Sequence, residues 1–88
     1  MDVLTPERTE VRIAAIVARM LAKRGAATDA GREQNLRDAG LTSLDMVNLM
    51  LAVEGEFDIF IPQDAMTPEN FRTISAIDAL VSTLIPAA

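Results

Sequence analysis

The residues with the strongest claim to chemistry lie in the stretch Asp38-Ala39-Gly40-Leu41-Thr42-Ser43-Leu44-Asp45. Ser43 stands just after a flexible Gly and opens an apolar run of helical spacing, so its hydroxyl belongs at a helix N-terminus. Two uses fit that position. One is ordinary capping, in which a side-chain oxygen accepts a hydrogen bond from a backbone N–H in the first turn. The other is attachment: free N–H groups and the helix dipole favour an anion there, so a phosphodiester on Ser43 would be well placed. The chain has no His and no Cys, so no imidazole or thiolate can activate Ser43 as a hydrolase nucleophile. It would have to be an acceptor worked on by another enzyme. The same absences remove disulfides, thiolate and imidazole metal sites and imidazole acid-base catalysis. Neither enzymatic activity nor a metal is expected.

The elements that must hold this stretch follow from size and patterning. Eighty-eight residues, half of them apolar but only 3% aromatic, suit one small domain with a core of Leu, Ile, Val, Met and Ala. The expected fold is all-α, with three main helices, one short helix and a long loop between the first two main helices. A single domain spans 1–88, with an ordered core of about 5–85. Thr5-Pro6-Glu7 reads as a helix start, with Thr5 as N-cap and Pro6 at the first helical position. Ile13, Ile16, Val17, Met20 and Leu21 form one stripe, and Gly25 suits the stop. From Gly25 to Gly40 the chain is mostly small and polar, and reads as a surface connection pinned by Leu36.

The second main helix is expected from Thr42 or Ser43 to about Glu56. Eight of the ten residues from Leu44 to Val53 are apolar, and a helical wheel divides them into two stripes. Met46, Leu49, Met50, Val53 and Phe57 form a broad one; Leu44, Val47 and Leu51 form a narrow one. A helix with two apolar stripes is either sandwiched within its domain or offers one stripe to a partner, and a chain this short has few elements to sandwich it. Phe57 to Pro62 reads as a short extended segment, and Gln63 to Phe71 as a short irregular helix or two turns. The last helix begins near Thr73, uses Ile74, Ile77, Leu80, Val81 and Leu84, and stops at Pro86.

Charge is distributed unevenly. Residues 1–37 hold seven basic and five acidic residues, net +2, whereas residues 38–88 hold eight acidic residues and only Arg72, net −7; together they give the formal −5. The acidic half would either simply keep a small protein soluble or surround the narrow stripe with a field that attracts basic partners. Net negative charge opposes binding to nucleic acid. No apolar run approaches the ~20 residues of a membrane span and no signal sequence is evident. The expectation is a monomeric cytoplasmic protein.

From Leu36 to Leu80 the sequence resembles the acyl carrier protein family, whose signature is a Gly, one residue, then Asp-Ser-Leu at the start of the second helix. Leu49-Met50-Leu51-Ala52-Val53-Glu54-Gly55-Glu56-Phe57-Asp58-Ile59-Phe60-Ile61-Pro62 is similar to the family's Leu-x-x-Ala-x-Glu-x-x-Phe-x-Ile-x-Ile-Pro run, and Thr73-Ile74-Ser75-Ala76-Ile77 is similar to its entry into the last helix. The resemblance implies a four-helix bundle in which Ser43, flanked by Thr42, Leu44 and Asp45, carries 4′-phosphopantetheine delivered from coenzyme A by a phosphopantetheinyl transferase. An acyl or aminoacyl group would then ride on the arm as a thioester. It further implies that Leu44, Val47 and Leu51 are apolar docking contacts. Asp45, Glu54 and Glu56, with Asn48 beside them, would face basic patches on loading ligases, acyltransferases or synthases.

Departures from the family pattern point to a specialised carrier rather than the general one of fatty acid synthesis. Thr42 replaces the Asp before the modified Ser, Asn48 and Gly55 stand where fatty-acid carriers have Glu, Phe60 replaces a commonly polar residue, and the segment between Pro62 and Phe71 is longer. The Thr-Ser pair resembles small bacterial carriers of amino acids loaded by stand-alone ligases similar to tRNA synthetases. Cargo would be read from Met46, Met50, Phe60, Met66 and Phe71: a cavity among them favours a long acyl chain, and a filled core favours a short or polar cargo. The alternative is an unmodified helical module that uses the same stripe to bind a basic partner helix.

Overall fold

The computed structural model describes residues 6–25 and 31–85, with side chains from residue 9 onward. Its elements are α1 (Pro6–Lys23), α2 (Leu36–Ala39), α3 (Ser43–Phe57), a 3₁₀ turn (Gln63–Ala65) and α4 (Ile74–Leu84). The Thr5 cap, residues 26–30 and the Pro86 stop lie outside the described residues. Among the described residues there is no strand, and no helix is long and apolar enough to cross a membrane.

The periodic stripes become one core. Ile13, Ile16, Val17 and Leu21 of α1 are buried against Leu49 and Val53 of α3 and Ile74, Ile77 and Val81 of α4, with Leu36, Leu41, Ile61 and Phe71 entering from the connections. α1 packs on both α3 and α4. Gly25 ends α1 at φ 70°, a conformation that costs Gly little and other residues more.

The long connection is more structured than its polar composition suggests. Asn35 caps α2 by accepting hydrogen bonds from the N–H groups of Arg37 and Asp38. The Leu36 N–H donates to the Arg72 carbonyl at 2.8 Å, and the Ser75 N–H donates to the Arg32 carbonyl at 2.9 Å. The connection is therefore stitched to the entry of α4 as well as pinned by the buried Leu36. Gly40 closes α2 at φ 129°, and the Leu41 N–H returns to the Leu36 carbonyl, turning the chain sharply into α3.

The Arg32 side chain lies across α1, donating to both carboxylate oxygens of Glu10 at 2.7 and 2.9 Å. Asp78 of α4 has one carboxylate oxygen buried without a hydrogen-bond partner among the described residues. Burial first, and the charge of Glu10 second, raise its pKa, with Arg32 pulling the other way. A raised folded pKa gives stability that is present below the unfolded value, about 3.9 for Asp, and lost as pH rises through the folded value. Asp78→Asn is therefore expected to raise the Tm by about 2–5 °C at neutral pH and by little at pH 3, read by thermal unfolding at both.

Candidate functional site

Ser43 is the first residue of α3, but it is not the cap. Thr42 is: its hydroxyl accepts from the Asp45 N–H at 3.1 Å, and the Asp45 carboxylate accepts in return from the Thr42 N–H at 3.0 Å. This reciprocal capping box satisfies two N–H groups at the start of the helix. The Ser43 side chain is exposed, and its hydroxyl makes no hydrogen bond among the described residues. Of the two uses open to it from sequence, capping has been taken by its neighbour.

Asp45 needs correcting. Expected to face basic partners, it is only 8% exposed. The Arg24 guanidinium grips both its oxygens, Nε at 2.6 Å and Nη2 at 2.9 Å. That two-point ion pair, with the hydrogen bond from Thr42 N–H, holds the carboxyl well below the usual carboxylate range, against a smaller opposing effect of burial. The sequence did contain a signal for half of this arrangement, since Thr-x-x-Asp at a helix start is a capping-box spacing. Nothing local marks Arg24, 21 residues away, as the partner.

The other two acids assigned to docking are also engaged by the fold. Glu54 is half-buried, and its carboxylate accepts from the Ile61 N–H at 2.7 Å, while its carbonyl receives the N–H of Ile59. It organises the turn that leaves α3 through Asp58, whose φ of 54° is left-handed. Glu56 accepts from Arg12 Nε at 2.8 Å, and Arg12 Nη2 also donates to the Glu56 carbonyl at 2.7 Å. The Arg12 guanidinium sits 4.5 Å from the centre of the Phe57 ring as well. Asp45 and Glu56 pair with Arg24 and Arg12 from the first helix and its end, and Glu54 turns to a backbone N–H, so the three acids assigned to docking are engaged within the fold.

The apolar stripe itself faces outward. Leu44, Val47 and Leu51 are 67%, 50% and 57% exposed, a continuous face at i, i+3 and i+7. Asn48 is exposed beside it and lines a cleft of about 500 Å³ between α1 and α3, together with Arg19, Lys23 and Arg24.

On the other flank, Ser43 and Val47 border a groove of about 300 Å³ that opens to solvent, at the low end of small-molecule sites. Met46, Met50, Met66 and Phe71 line it, as the sequence grouped them. Phe60 does not: at 78% exposed it projects from the turn after α3, away from that groove. Ile59 and Ile61, its neighbours in the same extended segment, turn inward instead, and that alternation leaves Phe60 on the solvent side. Beneath the groove the interior is filled by the buried core, Phe71 included. No cluster of carboxylates able to hold a metal ion occurs among the described residues.

An exposed, uncommitted hydroxyl on a rigid helix start, beside an open groove, fits a bulky phosphodiester substituent. Comparisons with known proteins agree. Residues 11–81 match the family model described as the phosphopantetheine attachment site. Aminoacyl carrier protein 1 of Bradyrhizobium diazoefficiens is 46% identical over 77 residues, covering 88% of this chain and 86% of the relative. Aminoacyl carrier protein 2 of the same organism is 41% identical over 70 residues, covering 80% of this chain and 79% of the relative. Among solved structures, the fold is similar to the carrier protein in the crystal structure of Bradyrhizobium japonicum glycine:[carrier protein] ligase complexed with cognate carrier protein and an analogue of glycyl adenylate. That match has a TM-score of 0.71 and 46% identity, and covers 84% of this chain and 96% of that one. The family model spans most of the sequence and the attachment signature falls inside it, so the chain belongs to the phosphopantetheine-dependent carrier proteins, which other enzymes modify and charge.

Proposed function

We propose that this protein is an aminoacyl carrier whose 4′-phosphopantetheine arm is attached through the Ser43 hydroxyl, and that a stand-alone amino acid:[carrier protein] ligase charges it. The observation that carries the reading is the free Ser43 hydroxyl on a helix start already capped by Thr42 and Asp45. When bound, the group supplies a terminal thiol, and so a thioester link, to a chain without Cys. The chain's own residues present and recognise. The capping box fixes the first turn so that Ser43 points outward, and Leu44, Val47 and Leu51 offer a dry contact face to the transferase and the ligase. Asn48 lies at the edge of that face. An open shallow groove over a filled core suits a short or polar cargo better than a long acyl chain, in keeping with relatives named as aminoacyl carriers. The chain acts as one carrier unit among soluble cytoplasmic enzymes.

The test is mass spectrometry. Incubation with coenzyme A and a broad-specificity phosphopantetheinyl transferase should raise the mass by about 340 Da, the mass of the arm. Subsequent incubation with a glycine:[carrier protein] ligase, ATP and glycine should add a glycyl group that hydroxylamine removes. No gain with several transferases would leave only an unmodified interaction module. A gain followed by charging with fatty acid but with no amino acid would overturn the aminoacyl reading.

Docking has its own expected outcome. Val47→Asp places a charge in the middle of the exposed stripe without touching the core. It should lower the ligase's kcat/KM by about tenfold or more while leaving the Tm within about 2 °C. Charging assays beside thermal melts read both quantities.

A further inference from the structure

Resting on the reading of Ser43 as the attachment residue, a second feature of the groove remains unassigned. Arg37 and Arg72 line the same groove as Ser43, with Asn35 beside them. They come from distant parts of the chain, and the fold goes to some length to bring them together. Arg37 lies on α2, Arg72 lies just before α4, and the backbone bond from Leu36 N–H to the Arg72 carbonyl joins the two segments directly. The Asn35 side chain is spent on the α2 cap.

Among the described residues, Arg19 and Lys23 also lack an ion pair, but Arg37 and Arg72 are the unpaired cations that line the groove of Ser43. Arg12, Arg24 and Arg32 each hold a carboxylate at under 3 Å. Arg37 and Arg72 make no ion pair among the described residues, although the chain is acidic overall. Both are exposed. Two arginines without carboxylate partners among the described residues, lining a groove whose other walls are mainly apolar (Met46, Val47, Met50, Met66, Pro68 and Phe71) and which also contains the Ser43 hydroxyl, form a site for an anion tethered at that hydroxyl. Guanidinium forks bind phosphate oxygens by charge-assisted, often bidentate hydrogen bonds.

We infer that Arg37 and Arg72 form an anion clamp for the phosphodiester on Ser43, so that the arm lies back along Met46, Met50 and Met66 in the resting protein instead of extending freely into solvent. The clamp is electrostatic and exposed, so salt weakens it. It is also one-sided. A protonated amino group at the far end of the arm is repelled by the same cations, so the charged end of an aminoacyl cargo stays away from the rim.

The experiment compares amide NMR spectra of the protein before and after modification, with phosphorus NMR of the modified form. Modification is verified by mass in every sample, so a failure to attach the arm is read separately from a failure of the clamp. In the wild type, shift changes on attachment should reach Arg37, Met46, Met50 and Arg72, and should shrink toward zero as salt is raised to ~0.5 M, where screening is strong. The R37Q/R72Q double variant should lose those remote changes, keep the ones beside Ser43, and move the phosphorus resonance toward its position in the urea-denatured modified protein, where the same phosphodiester is unclamped. R37K/R72K, which keeps charge but not the fork, should fall between. Melting curves of the unmodified variants should match the wild type, since both side chains are exposed and neither is paired among the described residues. Shift changes confined to the neighbours of Ser43 in the wild type, or remote changes that persist in R37Q/R72Q, would overturn the clamp.

Discussion

Ser43→Ala should abolish the mass gain from coenzyme A completely and every later charging step with it, while leaving the folded protein almost untouched. The separation of these effects follows from the division of labour at the start of α3. Thr42 supplies the capping oxygen and Asp45 returns the bond, so the Ser43 hydroxyl contributes no hydrogen bond to the helix among the described residues. Ala is also a better helix former than Ser. The expected stability change is within about 0.5 kcal/mol, typical of an exposed site. Thr42→Ala should behave in the opposite way. It leaves the Ser43 hydroxyl in place but removes the cap, at a cost of about 1 kcal/mol, or a Tm lower by about 4–8 °C in a domain of this size. Intact mass and thermal melting on the two variants give a crossed pattern. A Ser43→Ala protein that melted several degrees early and still gained the arm elsewhere would remove the attachment reading.

Asp45→Ala should be the most destabilising of the substitutions at the start of α3, lowering the Tm by roughly 10 °C, more than Thr42→Ala does. It removes the capping return bond and strands the Arg24 guanidinium, which also reaches toward the Thr42 hydroxyl at 3.4 Å. The pH dependence identifies the carboxylate as the cause. Its folded pKa is depressed, first by the hydrogen bonds from Arg24 and next by the backbone of Thr42. A depressed pKa gives stability that is full above the unfolded value near 3.9 and is lost as pH falls through the folded value. Wild-type stability should therefore decline as pH falls below about 5, and Asp45→Asn should show a distinctly flatter decline over the same window. Urea midpoints measured from pH 7 to pH 2.5 would show it. Parallel curves for the two proteins would mean that acid sensitivity comes from other carboxylates, with Glu10, also lowered by its hydrogen bonds to Arg32, the next to substitute.

How much of this could be read from sequence depends on whether the governing interaction is local. The two stripes of α3 were legible because helical periodicity alone decides which residues share a face, and Leu44, Val47 and Leu51 stand outside while Leu49 and Val53 are buried. Leu36 was legible as the pin of the long connection because it is the one large apolar residue there. The fate of the acids was not. Asp45, Glu54 and Glu56 are three acids of one helix that composition does not distinguish, yet they end as a cap and ion pair, an acceptor for the exit turn and a surface pair with Arg12. What separates them is the arrangement of α1 and of the turn at Asp58, which the local pattern does not encode. Phe60 was misplaced for a related reason. Its apolar character suggested the groove, but the alternation of Ile59 and Ile61 into the core left it facing out. The arginines Arg37 and Arg72 reach the groove of Ser43 from distant segments that a backbone bond between α2 and the entry to α4 joins.

The antiparallel pair formed by α1 and α3 is tied by charge near both ends of α3 and, among the described residues, nowhere between. Arg24 holds Asp45 at the beginning of α3, and Arg12 holds Glu56 and stacks on Phe57 at its finish. Twelve residues of α1 and eleven of α3 separate these ties, about 18 Å and about 16 Å of helix rise, so the two spans match. A beam fixed at both abutments resists tilt far better than one pinned at its centre, and of the exposed stripe Val47 and Leu51 lie between the fixings while Leu44 stands just before the first. On the proposed docking role, partners that press on this stripe would meet a helix held near both of its ends.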